Sequence, residues 1–100
     1  KSNEYIPSPQ VIITYICKYY NLDEDVLRGQ NRGRDVVNGR QIAMYLIRRM
    51  TNLSLSDIGK EFGGRDHTTV MHAVRKIAQE RKTDADLNHE LHVLKQIIIG

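Results

Sequence analysis

In 100 residues the chain has one cysteine, no tryptophan, one phenylalanine and two prolines. A lone cysteine, Cys17, excludes an internal disulfide and a cysteine metal cage, and it fits a reducing compartment. No apolar run approaches the roughly 20 residues that a membrane-spanning helix needs. No GxxxxGK[ST] stretch is present to cradle a nucleotide phosphate. Paired carboxylates, a nucleophile–base set and a metal-ligand cluster are likewise missing, so no enzyme is expected. His89 and His92 stand three apart near the end, but no third ligand is well placed beside them. The first residue is Lys1 and no signal-peptide pattern follows it, so an excised piece of a longer protein is expected. One domain with a modest core is the natural size for such a chain.

What the chain does have is charge placed unevenly. From Arg28 to Lys82 there are twelve Lys or Arg against five Asp or Glu, a balance of +7. The remainder holds three basic and seven acidic residues, a balance of −4, which returns the overall +3. A basic middle between acidic ends points to an anionic partner, although a solvated helical surface reads the same way on charge alone.

The punctuation predicts an all-α chain, a bundle of five or six helices. Residues 1–7 read as a linker. Ser8-Pro9 reads as an N-cap and first helical position, with Val11, Ile12, Tyr15, Ile16 and Tyr19 following at helical spacing until Asn21. Asp23 to Leu27 reads as one short helix. Gly29 to Asp35 has no periodicity and reads as an exposed basic loop before the third helix. That helix is expected from about Val36 to Thr51, with Ile42, Ala43, Leu46, Ile47 and Met50 inward and Gln41, Tyr45 and Arg48 outward. Ser54-Leu55-Ser56-Asp57 has capping-box form and opens a short helix through Phe62. Gly63-Gly64 breaks the chain. Asp66 opens a helix to about Lys82, and Thr83 caps a last one striped with Leu87, Leu91, Leu94 and Ile98.

A short helix, a glycine turn and a longer helix make a helix-turn-helix, whose second helix lies in the DNA major groove. The second helix begins Asp66-His67-Thr68-Thr69, polar residues at the turn that faces base edges. The Asp66 carboxylate can accept from cytosine N4, though capping alone accounts equally well for its place. Thr68 offers a methyl to thymine and a hydroxyl to base or phosphate, and His67 an imidazole face. The amides around Thr69 suit a phosphate. Arg32 and Arg34 flank Gly33 on the loop, where an arginine can enter a narrow A·T-rich minor groove. Arg40, Gln41 and Arg48 suit a phosphate strand.

The run Gly63-Gly64-Arg65-Asp66-His67-Thr68-Thr69-Val70-Met71-His72-Ala73 resembles the signature of the DnaA family of bacterial replication initiators. Arg40-Gln41-Ile42-Ala43-Met44-Tyr45-Leu46 and Leu55-Ser56-Asp57-Ile58-Gly59 fit the same family at matching spacing. The resemblance runs from about Ile6 to Ile98 and implies the carboxy-terminal DNA-binding domain (domain IV), covering residues 8–100. It implies recognition of asymmetric duplex elements, the TTATNCACA-like DnaA boxes of the origin. It implies base reading by Asp66, His67 and Thr68 in the major groove and by Arg32 in the minor groove, with Arg34 a competitor. Arg40, Gln41, Arg48, Leu55, Ser56, Thr69, His72 and Lys76 are implied as backbone contacts.

Two departures stand out. Gln30, Asn31, Gly33 and Asp35 dilute a loop that is more basic in many members. Ser56 stands where many have Pro, which puts an apolar contact to a base methyl there in question. The resemblance further implies a bacterial cytoplasmic, nucleoid-associated protein whose ATPase module precedes residues 1–7 and carries ATP and magnesium. No cofactor, no membrane contact and a monomeric state are expected of this segment. Two other functions remain open on the residues: a helix-turn-helix transcription repressor, and a helical protein-interaction domain docking through the Leu87–Ile98 stripe.

Overall fold

A computed structural model describes residues 5–100. Among these residues are six helices and no strand: α1 Pro9–Tyr20, α2 Glu24–Arg28, α3 Arg34–Met50, α4 Leu55–Glu61, α5 His67–Glu80 and α6 Ala85–Ile99. The ends of the helices follow from local chemistry. Ser8 Oγ accepts from the Val11 N–H at 3.2 Å, and Asn21 stops α1 in the left-handed region at φ 56°. Ser54 Oγ accepts from the Asp57 N–H at 3.1 Å to open α4. The last helix is capped by Asp84 rather than Thr83, its carboxylate accepting from the Leu87 N–H at 3.0 Å. The start of α3 lies at Arg34, so the basic loop is only residues 29–33. Arg34 and Asp35 are both exposed, and an apolar pattern cannot register a first turn that buries nothing. The acidic Asp35 in that turn suits the positive end of the helix. Of the expected linker, residues 1–4 lie outside the described residues; residues 5–8 are non-helical, with Pro7 buried.

One core joins all six helices. Ile12, Ile13 and Ile16 of α1 meet Ile42, Ala43, Leu46 and Ile47 of α3, with Ile58 and Phe62 below and Val70, Ala73 and Ile77 of α5 against them. Leu87, Leu91, Leu94 and Ile98 complete it. The stripe that motivated a protein-docking helix is therefore spent inside the molecule. Tyr45, expected on the outward side of α3, is buried: its hydroxyl accepts from Arg81 at 2.7 Å, and the Arg49 and Arg81 guanidinium groups both lie over its ring. No helix is long and apolar enough to cross a membrane among the described residues.

The first and last helices are tied by the Tyr20 hydroxyl, which donates to Glu90 Oε1 at 2.8 Å. Burial first, and then this bond to the carboxylate, push the phenol well above its ordinary range. Tyr20→Phe is expected to cost about 1 kcal/mol, because Glu90 is only half-buried and water replaces the lost donor. Urea denaturation of the two chains checks this, and an unchanged midpoint would show that the bond adds nothing.

Candidate nucleic-acid interface

The turn between α4 and α5 is built on one carbonyl. The Gly59 oxygen accepts from the N–H groups of Phe62, Gly64 and Arg65 at 3.0, 3.1 and 2.9 Å. Folding the chain back over it takes Gly63 and Gly64 at φ +78° and +80°, a backbone that side chains rarely permit. Gly59 itself has no room for a Cβ, because the Arg65 carbonyl sits where that atom would be. Val70, Ala73 and Ile77 then fix the roll of α5 by facing the core. Its polar first turn is left at the surface: Asp66, His67 and Thr69 are exposed and Thr68 is half-buried. Base reading requires that outward placement.

Asp66 occupies the N-cap position with extended backbone but makes no well-aligned cap bond. Its carboxylate instead lies 3.2 Å from His67 Nδ1. The Thr68 hydroxyl foremost, then the His67 ring and the N–H groups of both residues, hold it below the usual carboxylate range. It is thus an ionised acceptor at neutral pH, facing outward, the state that a cytosine amino group would need.

Beside this turn runs a groove between α3 and α5. An open concavity of about 620 Å³ brings together Arg32, Arg34, Gln41 and Lys76. A second, sharing Gln41 and Lys76, continues it past Thr69 and His72. Six of the expected DNA contacts, Arg32, Arg40, Gln41, Thr69, His72 and Lys76, therefore border these two adjoining concavities. Within the loop the Asn31 carboxamide oxygen accepts from the Gly33 N–H at 2.7 Å, which holds the backbone on either side of the exposed Arg32. Arg34 belongs to the first turn of α3 and is exposed as well. Lys76 is paired with Glu80 at 2.8 Å, an exposed pair that costs little to exchange for a phosphate. Arg48 is exposed and donates to the Leu53 carbonyl at 2.9 Å. That bond holds its charge beside the start of α4, where Ser56 is exposed and Leu55 half-buried.

Arg40 borders the groove but is largely buried. It is 6% exposed, and its guanidinium donates from Nε to the Leu27 carbonyl at 2.7 Å and from Nη2 to the Val26 carbonyl at 3.2 Å. These carbonyls lie at the C-terminal end of α2, where the Val26 oxygen also accepts from the Gly29 N–H at 3.3 Å. A cation at that end is favourable. Burial, and then the neighbouring Arg65 charge, push the Arg40 pKa down. A side chain so engaged caps α2 from Nε and Nη2 while it borders the same concavity as Gln41, Thr69, His72 and Lys76. Sequence reasoning also passed over Arg65 and Arg28, each of which grips at least one backbone carbonyl more than 30 residues away. No local pattern marks such a target.

The family described as "Bacterial dnaA protein helix-turn-helix" matches residues 9–77. The chain is 53% identical over 85 residues to proteins of Burkholderia multivorans and Burkholderia cenocepacia named chromosomal replication initiator protein DnaA. The match covers 85% of this chain and 16% of theirs, so the chain spans about one sixth of the length of those relatives. A solved structure titled as that of a DNA replication initiation factor superposes with a TM-score of 0.82 at 30% identity, covering 91% of this chain and 28% of the other.

Proposed function

The chain belongs to the bacterial DnaA helix-turn-helix family, and from that premise we propose that it binds duplex DNA sequence-specifically at the DnaA boxes of a replication origin. One observation supports this most: the outward polar turn ends at Thr69 on a concavity that shares Gln41 and Lys76 with the one lined by the loop arginine Arg32. In this reading Asp66, His67 and Thr68 read base edges in the major groove, and Arg32 enters the adjacent minor groove. Arg40, Gln41, Arg48, Leu55, Ser56, Thr69, His72 and Lys76 contact the DNA backbone. Phosphate contacts set orientation and base contacts set sequence. Residues 8–100 act as the DNA-reading unit, joined through residues 1–7 to an ATPase module that carries ATP and magnesium. The protein works on the bacterial chromosome in the cytoplasm, and this segment acts as a monomer.

The test is binding to a TTATNCACA-type duplex and to a scrambled duplex of equal length at one salt concentration. Box DNA is expected to bind at least about a thousandfold more tightly. The log affinity is expected to fall with log salt at a slope on the order of −4 to −5, for about five phosphates engaged. Equal affinity for both duplexes would end the reading.

The loop gives a second expected result. Arg32→Ala weakens box binding more than Arg34→Ala, because Arg34 is held within the first turn of α3 whereas Arg32 extends from the loop. The Arg32 effect shrinks on a G·C-substituted flank, where the guanine amino group obstructs the minor groove. Fluorescence anisotropy on the two flanks measures this. A larger loss at Arg34 would reassign the reader.

A further inference from the structure

We propose that Arg65, which borders the groove between α3 and α5, is a positioning residue that sets the spacing between the minor-groove loop and the recognition turn through the carbonyls it grips and not through a phosphate. This rests on the two-groove reading above and explains what holds the two readers in register.

The loop springs from the end of α2, a helix of five residues. Such a helix leaves most of its C-terminal carbonyls without a partner of its own, and here the Gly29 N–H reaches only the Val26 oxygen. Arg40 takes those of Val26 and Leu27. Arg65, reaching across from the α4–α5 turn, takes the next two: Nη1 donates to the Arg28 carbonyl at 3.1 Å and Nη2 to the Gly29 carbonyl at 2.5 Å. Nη1 also donates to the Phe62 carbonyl at 2.6 Å within its own turn, which fixes the guanidinium from behind. Arg28 returns the contact. Its Nη1 donates to the Glu61 carbonyl at 2.6 Å and to Glu61 Oε1 at 3.1 Å, while Nε is paired with Glu24 at 3.0 Å. Each segment therefore grips the backbone of the other.

The placement of this staple gives it a purpose beyond stability. Asp66 is the residue after Arg65, and Arg32 is three residues after Gly29. Only residues 30–33 lie between the stapled carbonyl and the start of α3. Both readers are thus within three residues of a pinned atom. When two contacts on one partner are joined rigidly at the right separation, forming the first sets a high effective concentration for the second. A loosened loop keeps the arginine but loses that advantage. Lysine is a poor substitute, because a compact ammonium cannot present the planar fork that meets three carbonyls at once.

The test uses the 100-residue chain with Arg65→Met, Arg65→Lys and Arg28→Met, each alone and combined with Arg32→Ala. Melting temperatures are recorded alongside. Arg65→Met is expected to weaken box binding about tenfold, to reduce discrimination between A·T and G·C flanks, and to leave the salt slope unchanged. In the Arg32→Ala background the same change is expected to cost less than about twofold, because no minor-groove reader remains to be placed. Arg65→Lys is expected to follow Arg65→Met. Full additivity with Arg32→Ala, or a slope shallower by about 0.9, would mean a direct phosphate contact and overturn the proposal. If the Arg65 variants do not fold, Arg28→Met loosens the staple from the loop side, and additivity there overturns it equally. A wild-type chain that fails to prefer the box would refute the DNA-reading function. A box-specific wild type with additive losses would refute only the staple.

Discussion

Gly59→Ala is expected to destabilise the fold by about 3 kcal/mol and to abolish DNA binding at temperatures where the wild type is active. The new methyl would overlap the carbonyl oxygen of Arg65 and come within 3.0 Å of its carbonyl carbon. The obstacle is backbone, so no rotamer change relieves it. That backbone is itself held, since the Arg65 N–H donates to Gly59 and the Arg65 side chain to three other carbonyls. Relief requires moving the start of α5 away from α4, which opens the contact with Val70. Alanine's better helix propensity, about 1 kcal/mol, is too small to offset this. Melting temperature is expected to fall by roughly 10–20 °C. Gly64→Ala is the comparison: its φ of +80° is strained for alanine, but nothing lies within 4 Å of the added atom. It is expected to cost about 1 kcal/mol. A Gly59 variant no less stable than the Gly64 variant would show that the turn can open freely.

The second large effect separates reading from holding. Thr68→Ala is expected to cost about 1–3 kcal/mol on box DNA and much less on scrambled DNA, so that the specificity ratio collapses. The half-buried Thr68 loses both its methyl and a hydroxyl that supports the Asp66 carboxylate. Asp66→Asn is the companion change. It keeps the size and capping ability of the side chain but adds a donor where the carboxylate only accepts, so it is expected to change which base is preferred. Arg48→Ala and Lys76→Ala act differently. They are expected to weaken both duplexes alike and to make the salt slope shallower by roughly 0.9 each. Loss of Arg48 also frees the Leu53 carbonyl, which is near the surface and finds water. Titrations of both duplexes at several salt concentrations settle the matter. Equal losses on both duplexes for Thr68→Ala would mean that the first turn of α5 does not face the bases.

The legible parts of this fold are those written in local chemistry. Ser8 before Pro9, Asn21 at a left-handed stop, Ser54 three residues before Asp57 and the paired glycines at 63 and 64 each act within one turn of themselves, and each was visible in the sequence. So was the outward Asp66–Thr69 turn, because Val70, Ala73 and Ile77 state which side of α5 is inward. The start of α3 was hidden because Arg34 and Asp35 bury nothing. Tyr45 looked outward on a helical wheel of α3, but two arginines and the α5–α6 connection close over it. Arg40 and Arg65 were hardest. Their charge looks like any other phosphate-binding charge in a basic segment. Only the folded chain shows that their partners are the carbonyl ends of a five-residue helix.

The shortness of the two reading helices sets the smallest unit that can be lifted out of this molecule. A peptide of residues 54–82 contains every proposed major-groove reader. Its helices are seven and fourteen residues long, at or below the length at which an isolated helix holds in water. Its apolar face, Val70, Ala73 and Ile77, would lose α3 as a surface to fold against. Its arginine at 65 would have lost two of the three carbonyls it grips. Sequence recognition here is a property of the domain and not of the motif: a transplanted motif must bring α2, the loop and α3 with it to remain a reader.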